Sequence, residues 1–168
     1  MFNRIKMRFE NMGTIKALCE QAEEHARQDR QKEPGAEHFL LAALDLPDGT
    51  ARRAFAAVGA DADGVRAAIA KQYADALNRL GLPEALAVHA VEDGPPPSRR
   101  AVFDAAPSGK AVMQALADGR GGHDPLSGAH VVAVVAAMPH GVAARALRAM
   151  GVDAETLQAA AQRILRGE

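Results

Sequence analysis

The sequence predicts an all-α protein made of two pseudo-symmetric repeats with four helices each. Three observations support this prediction. Alanine is abundant, aromatic residues make up only 4% of the chain, and β-branched residues cluster only between Val131 and Val135. Alanine favours helices, whereas strands are enriched in β-branched and aromatic residues. We therefore expect closely packed helices.

An internal repeat divides the predicted helices into two sets. Residues 35–69 recur at an offset of 92 positions as residues 127–161, without insertion or deletion. A repeat of this length indicates a duplicated structural unit. We assign a structural role to three pairs of recurring residues: His38 and His130, Gly49 and Gly141, and Gly59 and Gly151.

The first two helices are predicted from apolar residues spaced three and four positions apart. One helix should cover residues 14–27, with Thr14 as its N-cap. A central, buried helix should begin near Gly35 and stop before Pro47, because the residue ahead of a proline disfavours helical geometry.

Turn residues define the remaining helices of each repeat. A short third helix should end at Gly59, a left-handed C-cap, and Asp61 should cap a fourth helix that continues to about Leu80. The second repeat follows the same order, with helices near residues 110–116 and 127–138, a short helix to Met150, and a last helix opened by Asp153.

The chain is predicted to be one domain, residues 1–168, because each half alone would bury too little surface. Repeat one covers about residues 11–80, a linker about 81–106, and repeat two about 107–166. Within the linker, the proline-rich stretch at residues 95–100 should be exposed.

Charge and composition exclude several classes of protein. The 20 lysines and arginines nearly balance the 21 acidic residues, so we expect no nucleic acid or membrane surface as a partner. The N-terminus lacks the apolar stretch of a signal peptide, and no later segment is long and apolar enough to span a membrane. With a single cysteine, the chain has no internal disulfide. We expect a cytoplasmic protein.

Neither catalysis nor a cofactor is expected. Ser127 near His130, or Cys19 near His25, has no third group to orient a nucleophile and base. The histidines show no metal-ligand spacing. A phosphate-binding loop is also missing, because Ala111 stands where such a loop requires serine or threonine.

The segment Gly-Ala-Glu-His at residues 35–38 is followed by a leucine-rich helix, a Gly-x-Ala turn at residues 49–51, and a glycine-to-aspartate step at residues 59–61. This pattern resembles the repeat of the N-terminal domain of Clp ATPases, and the opening Met-Phe-Asn-Arg resembles the start of the ClpC-type domain. The resemblance implies an eight-helix module that binds substrates and adaptors, here without the ATPase rings.

The resemblance also implies site residues. In ClpC-type domains, the motif glutamate helps to bind phosphorylated arginine, a mark for degradation, and Glu37 occupies that position. Ala129 stands at the equivalent position of the second repeat, so one of the two sites is lost. The start of the chain, above all Phe2, with Arg4 beside it, corresponds to a surface that cyclic-peptide antibiotics engage.

The sequence therefore predicts a non-catalytic module that binds peptides, proteins or a Clp ATPase, as an accessory, adaptor or competitor of a Clp unfoldase. It would read phosphoarginine through Glu37. One alternative is a decoy that sequesters cyclic-peptide antibiotics or other ligands directed at Clp. The other is a structural or oligomerisation module that has lost peptide binding. Glu37 has a simpler interpretation as an acidic residue favoured by the helix dipole, and Phe2 as an anchor of the N-terminus.

Overall fold

The computed structural model of the chain describes residues 2–81, 104–119 and 125–168, with side chains from residue 10 onward. Within these residues the protein is helical and has no strand, so the all-α prediction is confirmed. The first half contains α1 (Phe2–Gln28), α2 (Ala36–Asp45), α3 (Thr50–Ala57) and α4 (Gly64–Arg79). The second half contains α5 (Pro107–Asp118), α6 (Gly128–Ala136), α7 (Val142–Ala149) and α8 (Ala154–Leu165). Most of the linker predicted at about residues 81–106, including its proline-rich stretch, lies outside the described residues.

The first helix is longer than predicted. It begins at Phe2, and Thr14 is an internal residue whose hydroxyl donates to the carbonyl of Glu10 at 3.1 Å. The prediction of Thr14 as an N-cap was therefore wrong. The residues ahead of Thr14 carry few helix-breaking side chains, so the helix continues through them, and the threonine bonds back to the preceding turn instead of capping a new one.

The fourth helix also starts differently from the prediction. Asp61 does not cap α4, because its Oδ1 accepts from the backbone N–H of Asp63 at 2.9 Å and holds a turn ahead of Gly64. Short-range bonds of this kind are typical of aspartate in turns. Its counterpart Asp153 does cap α8, since its carboxylate accepts from the N–H of Thr156 at 2.8 Å.

Glycines in the left-handed region separate the short helices from their neighbours. Gly59 and Gly151 follow α3 and α7 with φ of 67° and 72°, the geometry expected of a helix C-cap. Gly49 and Gly141 are the N-cap residues of α3 and α7, with φ of 65° and 107°.

The two halves pack through exchanged helices. The central helices α2 and α6 contact each other, α3 packs against α8, and α4 packs against α7. The helices α3, α4 and α7 therefore pack mainly against the other half, whereas α8 packs both against α3 and against α6 of its own half. The core between them contains fully buried large side chains from both halves, among them Phe39, Phe55, Ile69, Val112, Val131, Leu147 and Leu157.

Each central helix also receives its N-terminal hydrogen-bond acceptors from the other half. The N–H of Ala36 in α2 donates to Oγ of Ser108 at 3.1 Å. The N–H of Ala129 in α6 donates to Oγ1 of Thr50 at 2.8 Å, and that of Gly128 donates to Oδ2 of Asp48 at 3.1 Å. The first N–H groups of a helix have no partner within it, so these bonds satisfy them. The one-domain organisation stays a prediction, which these contacts favour.

Candidate functional site

Glu37 lies in the first turn of α2, with only 6% of its surface exposed. Its Oε1 accepts a hydrogen bond from the hydroxyl of Tyr73 in α4. Burial, followed by the negative charge and the hydrogen bond of Glu37, raises the pKa of Tyr73 well above its usual range. The carboxylate predicted to bind a ligand therefore already has an internal partner.

His38 is fully buried and caps the helix on which it lies. Its Nδ1 accepts from the N–H of Gly35 at 2.9 Å, so the proton of the neutral ring is on Nε2, which faces Oδ2 of Asp29 at 3.2 Å. The ring stacks on Tyr73 with centroids 6.1 Å apart, and Nδ1 also lies 3.6 Å from Oε1 of Glu37. The structure thus brings Glu37 and His38 into one buried group.

The corresponding histidine of the second half occupies the same place on α6. Nδ1 of His130 accepts from the N–H of Ser127 at 3.2 Å and lies 3.0 Å from the Ser127 hydroxyl oxygen. Both histidines therefore bond to the N-cap residue three positions before them. This arrangement fits an architectural role in both repeats.

A polar cluster of Asp29, His25, Asp45 and Arg66 adjoins His38 in the first half. Nη2 of Arg66 lies 3.2 Å from Oδ1 of Asp29, and Nη1 lies 3.2 Å from Nδ1 of His25. Nε2 of His25 in turn lies 2.7 Å from Oδ2 of Asp45. We call these four residues the first-half clasp. It connects α1, α2 and α4.

The second half has no such clasp. At the offset of 92 positions, Asp45 is replaced by Ala137, and Arg66 by Gln158. Two larger side chains, Leu41 and Tyr73, are likewise replaced by Ala133 and Leu165. An open groove of about 340 Å³ lies between α5, α6 and α8 at this place.

This second-half groove is mainly apolar. Leu116, Ala133, Val134, Ala137 and Leu165 contribute its apolar wall. Gln158 and Gln162 supply polar groups, and His130 reaches it from the start of α6. Among the described residues that line it, none is an aspartate, glutamate, lysine or arginine. Clefts of this size with a few polar groups are typical ligand sites.

Phe2 and Arg4 are in the first turn of α1, and their side chains lie outside the described part of the chain. The proposed surface at the start of the chain therefore stays a prediction. The structural glycine pairs lie at the ends of the short helices α3 and α7, away from the groove lining.

Sequence reasoning did not identify the groove residues. The signal was present in the repeat alignment, where bulky or charged residues of the first half change to Ala133, Ala137 and Gln158 in the second half. The sequence alone did not show that these changes form a site, because only the fold shows that the changed positions line one groove. The described residues contain no group of side chains suited to a metal ion. No described helix is long and apolar enough to cross a membrane.

Sequence comparison with known families agrees with these features. The profile described as the Clp repeat (R) N-terminal domain matches residues 14–101, just over half of the 168-residue chain. No curated protein matches the chain significantly. The family is one of interaction domains and is helical, in agreement with the described fold. The chain belongs to the Clp repeat N-terminal domain family.

Proposed function

We propose that this protein is a non-catalytic module that binds peptides or unfolded protein segments in the cytoplasm, as an accessory, adaptor or competitor of a Clp unfoldase. The observation that supports this function most directly is the second-half groove, which is open and apolar in a domain of an interaction family. At the equivalent positions the first half carries the charged first-half clasp, so the proposal assigns this groove to the second half alone. In this proposal the first-half clasp supports the fold, and the second-half groove binds the peptide.

The chemistry of the groove suits an uncharged, extended peptide. Its apolar wall would remove a leucine- or phenylalanine-sized side chain from water, which is worth about 1.5–3 kcal/mol for a fully buried side chain. Gln158 and Gln162 are four positions apart and therefore share one face of α8. A glutamine amide can both donate and accept, as the backbone of an extended peptide requires.

Filling the groove tests the proposal. Ala133→Leu restores the residue that the first half has at Leu41, and the larger side chain should block the apolar wall. Fluorescence anisotropy with fluorescein-labelled casein, an unfolded polypeptide, should show that the wild type binds. The variant should bind at least about tenfold more weakly, because the lost apolar contact is worth about 1.5 kcal/mol or more. Ala159→Leu is the matched control, since Ala159 is an exposed residue of α8 outside the groove lining. Equal binding by both variants would exclude the groove as the site.

A finer proposal is that Glu37 makes the module a reader of phosphoarginine. A carboxylate pairs with a guanidinium through charge-assisted hydrogen bonds. Glu37 would have to exchange the Tyr73 hydroxyl for the ligand, so Tyr73→Phe should strengthen binding and Glu37→Ala should abolish it. An amide-resolved NMR titration with phosphoarginine, with arginine as the control, should show saturable shifts at residues 35–38. Identical responses to both ligands would reject this specificity and leave groove binding standing.

The alternatives predict other outcomes of the same measurements. A decoy would bind a Clp-directed cyclic peptide but not casein, and Phe2→Ala would weaken that binding. A structural or oligomerisation module would bind neither probe.

A further inference from the structure

Arg52 bridges two elements of the first half. Its Nε donates to the carbonyl of Leu44, near the end of α2, at 3.0 Å. Its Nη1 donates to Oδ1 of Asp63, just before α4, at 2.7 Å. The hydrogen bond and the charge of Asp63 raise the pKa of Arg52. A guanidinium thus satisfies a helix carbonyl and a carboxylate at the same time.

In the second half the two acceptors are kept and the arginine is missing. At the offset of 92 positions, Leu44 corresponds to Ala136 and Asp63 to Glu155, whereas Arg52 corresponds to Ala144. All three second-half residues line one cavity of about 480 Å³. The described residues give the Ala136 carbonyl no hydrogen-bond donor in place of Arg52. We call this space the arginine cavity.

Among the described residues that line the arginine cavity, three are charged: Arg148, Asp153 and Glu155. Arg148 donates to the carbonyl of Pro139 at 3.0 Å, which directs one of its terminal nitrogens at the α6–α7 turn. Asp153 accepts from Thr156, and this hydrogen bond lowers the pKa of Asp153, so the carboxylate stays ionised at neutral pH. Two carboxylates and one guanidinium leave a negative balance that favours a further cation.

We propose that the arginine cavity binds the guanidinium of an unmodified arginine side chain on a partner polypeptide. The guanidinium would take the place that Arg52 has in the first half, donating to the Ala136 carbonyl and the Glu155 carboxylate. Arginine suits such a site better than lysine, because its planar group presents several donors at fixed angles. A phosphorylated arginine would be disfavoured, since its phosphate would face Asp153 and Glu155.

This inference deepens the proposed function and depends on it for the nature of the occupant. The arginine cavity and the second-half groove share Ala137 and Gln158. One peptide can therefore place an apolar side chain in the groove and a neighbouring arginine in the cavity. The module would select segments in which arginine stands beside apolar residues.

The test uses a capped arginine, in which the guanidinium is the one charged group. An amide-resolved NMR titration with N-acetyl-arginine N-methylamide should give saturable shifts at Ala136, Ala144 and Glu155. The citrulline analogue, which has the same shape without the charge, should give none. Equal shifts with both compounds would overturn the proposal.

Two variants test the geometry. Ala144→Arg supplies the guanidinium from the chain itself, as Arg52 does, and should abolish the shifts. Glu155→Gln should weaken binding about fivefold or more because it removes the charge that assists the hydrogen bond, whereas Glu155→Asp keeps that charge and should retain most of the binding. Unchanged affinity in Glu155→Gln would contradict the proposal even if Ala144→Arg fails to fold, since Glu155 is exposed.

The first half offers the reverse experiment. Arg52→Ala should create an equivalent cavity there, and the capped arginine should then also shift the residues around Leu44 and Asp63. Absence of this second site would count against the proposal. Failure of casein binding with intact arginine binding would reject only the proposed function, and the opposite result would reject only the arginine cavity.

Discussion

The hydroxyl of Tyr73 donates a hydrogen bond to Oε1 of Glu37 and so joins α4 to the first turn of α2. This bond connects α4, which packs mainly against α7 of the other half, to the central helix of its own half. Glu37 is almost completely buried, and a buried carboxylate without donors is costly. The Tyr73–Glu37 pair therefore stabilises the fold, whether or not Glu37 also binds a ligand.

Tyr73→Phe should destabilise the protein by about 1–3 kcal/mol, because a buried acceptor is left without its donor. Urea unfolding at pH 7, followed by circular dichroism, measures this loss. Glu37→Gln is the partner variant in a double-mutant cycle. Since the two residues bond to each other, the double variant should lose clearly less than the sum of the single losses. Strictly additive losses would show that the pair is not coupled.

Cys19 should react slowly with alkylating reagents. Burial, and then the charges of Glu23 and Glu20, raise its pKa from 9.0 to about 11. At pH 8 this shift lowers the thiolate fraction by about a hundredfold, and the thiolate is the reactive form. The rate with iodoacetamide should therefore rise up to about pH 11, whereas the urea-unfolded chain should level off near pH 9. A folded-state profile that levels off at pH 9 would contradict the shift.

The same shift gives stability a pH dependence. The folded pKa of Cys19 is above the unfolded value, so its contribution is fully present below pH 9.0 and is lost as the pH rises through about 11. The raised pKa of Tyr73 also lowers the stability as the pH rises, and this loss begins near the usual tyrosine pKa of about 10. The free energy of unfolding should thus fall from pH 9 upward. Cys19→Ser together with Tyr73→Phe should flatten this dependence, and an equally steep loss in that double variant would assign it to other groups.

The repeat was predictable from sequence because the fold-defining residues recur at one fixed offset, as His38 and His130 do. Helix positions followed from apolar spacing and from turn residues such as Gly59. Helix starts were less predictable, since Thr14 and Asp61 can each bond locally in more than one way. The exchange of α3 and α4 between halves was not predictable, because an apolar stripe does not specify which helix covers it.

The candidate site was predictable only in part. The motif singled out Glu37, but its bond to Tyr73 joins residues 36 positions apart, and no local pattern reveals it. The change from Arg52 to Ala144 is visible in the repeat. That this change leaves a cavity with two retained acceptors follows only from the packing of α6, α7 and α8.

The exchanged caps predict that the two halves unfold together. Ser108→Ala removes an acceptor from α2, and Thr50→Ala removes one from α6, each from the opposite half. Each should cost about 1 kcal/mol, the typical value for a lost N-terminal cap. In a one-domain protein, both variants should lower the midpoint of a single unfolding transition, seen by far-ultraviolet circular dichroism and by NMR signals of both halves. Two separate transitions, each shifted by only one of the variants, would divide the chain into two domains.

Gly128 lies where α6 packs tightly against the first half, and replacing it should be costly. A Cβ at this position would be 2.9 Å from the carbonyl oxygen of Ala43 and 2.9 Å from Cβ of Ala51. Both neighbours belong to packed helices and have no flexible side chain that could move away. Gly128→Ala should therefore destabilise the protein by about 1–3 kcal/mol, the usual range for overpacking a core.

Gly13→Ala is the matched control, because Gly13 lies within α1 with nothing within 4 Å of the added Cβ. This control should stabilise by about 0.5–1 kcal/mol through the higher helix propensity of alanine. Urea unfolding of the two variants compares the same chemical change in tight and in open surroundings. If Gly128→Ala is as stable as Gly13→Ala, α6 does not approach the first half this closely.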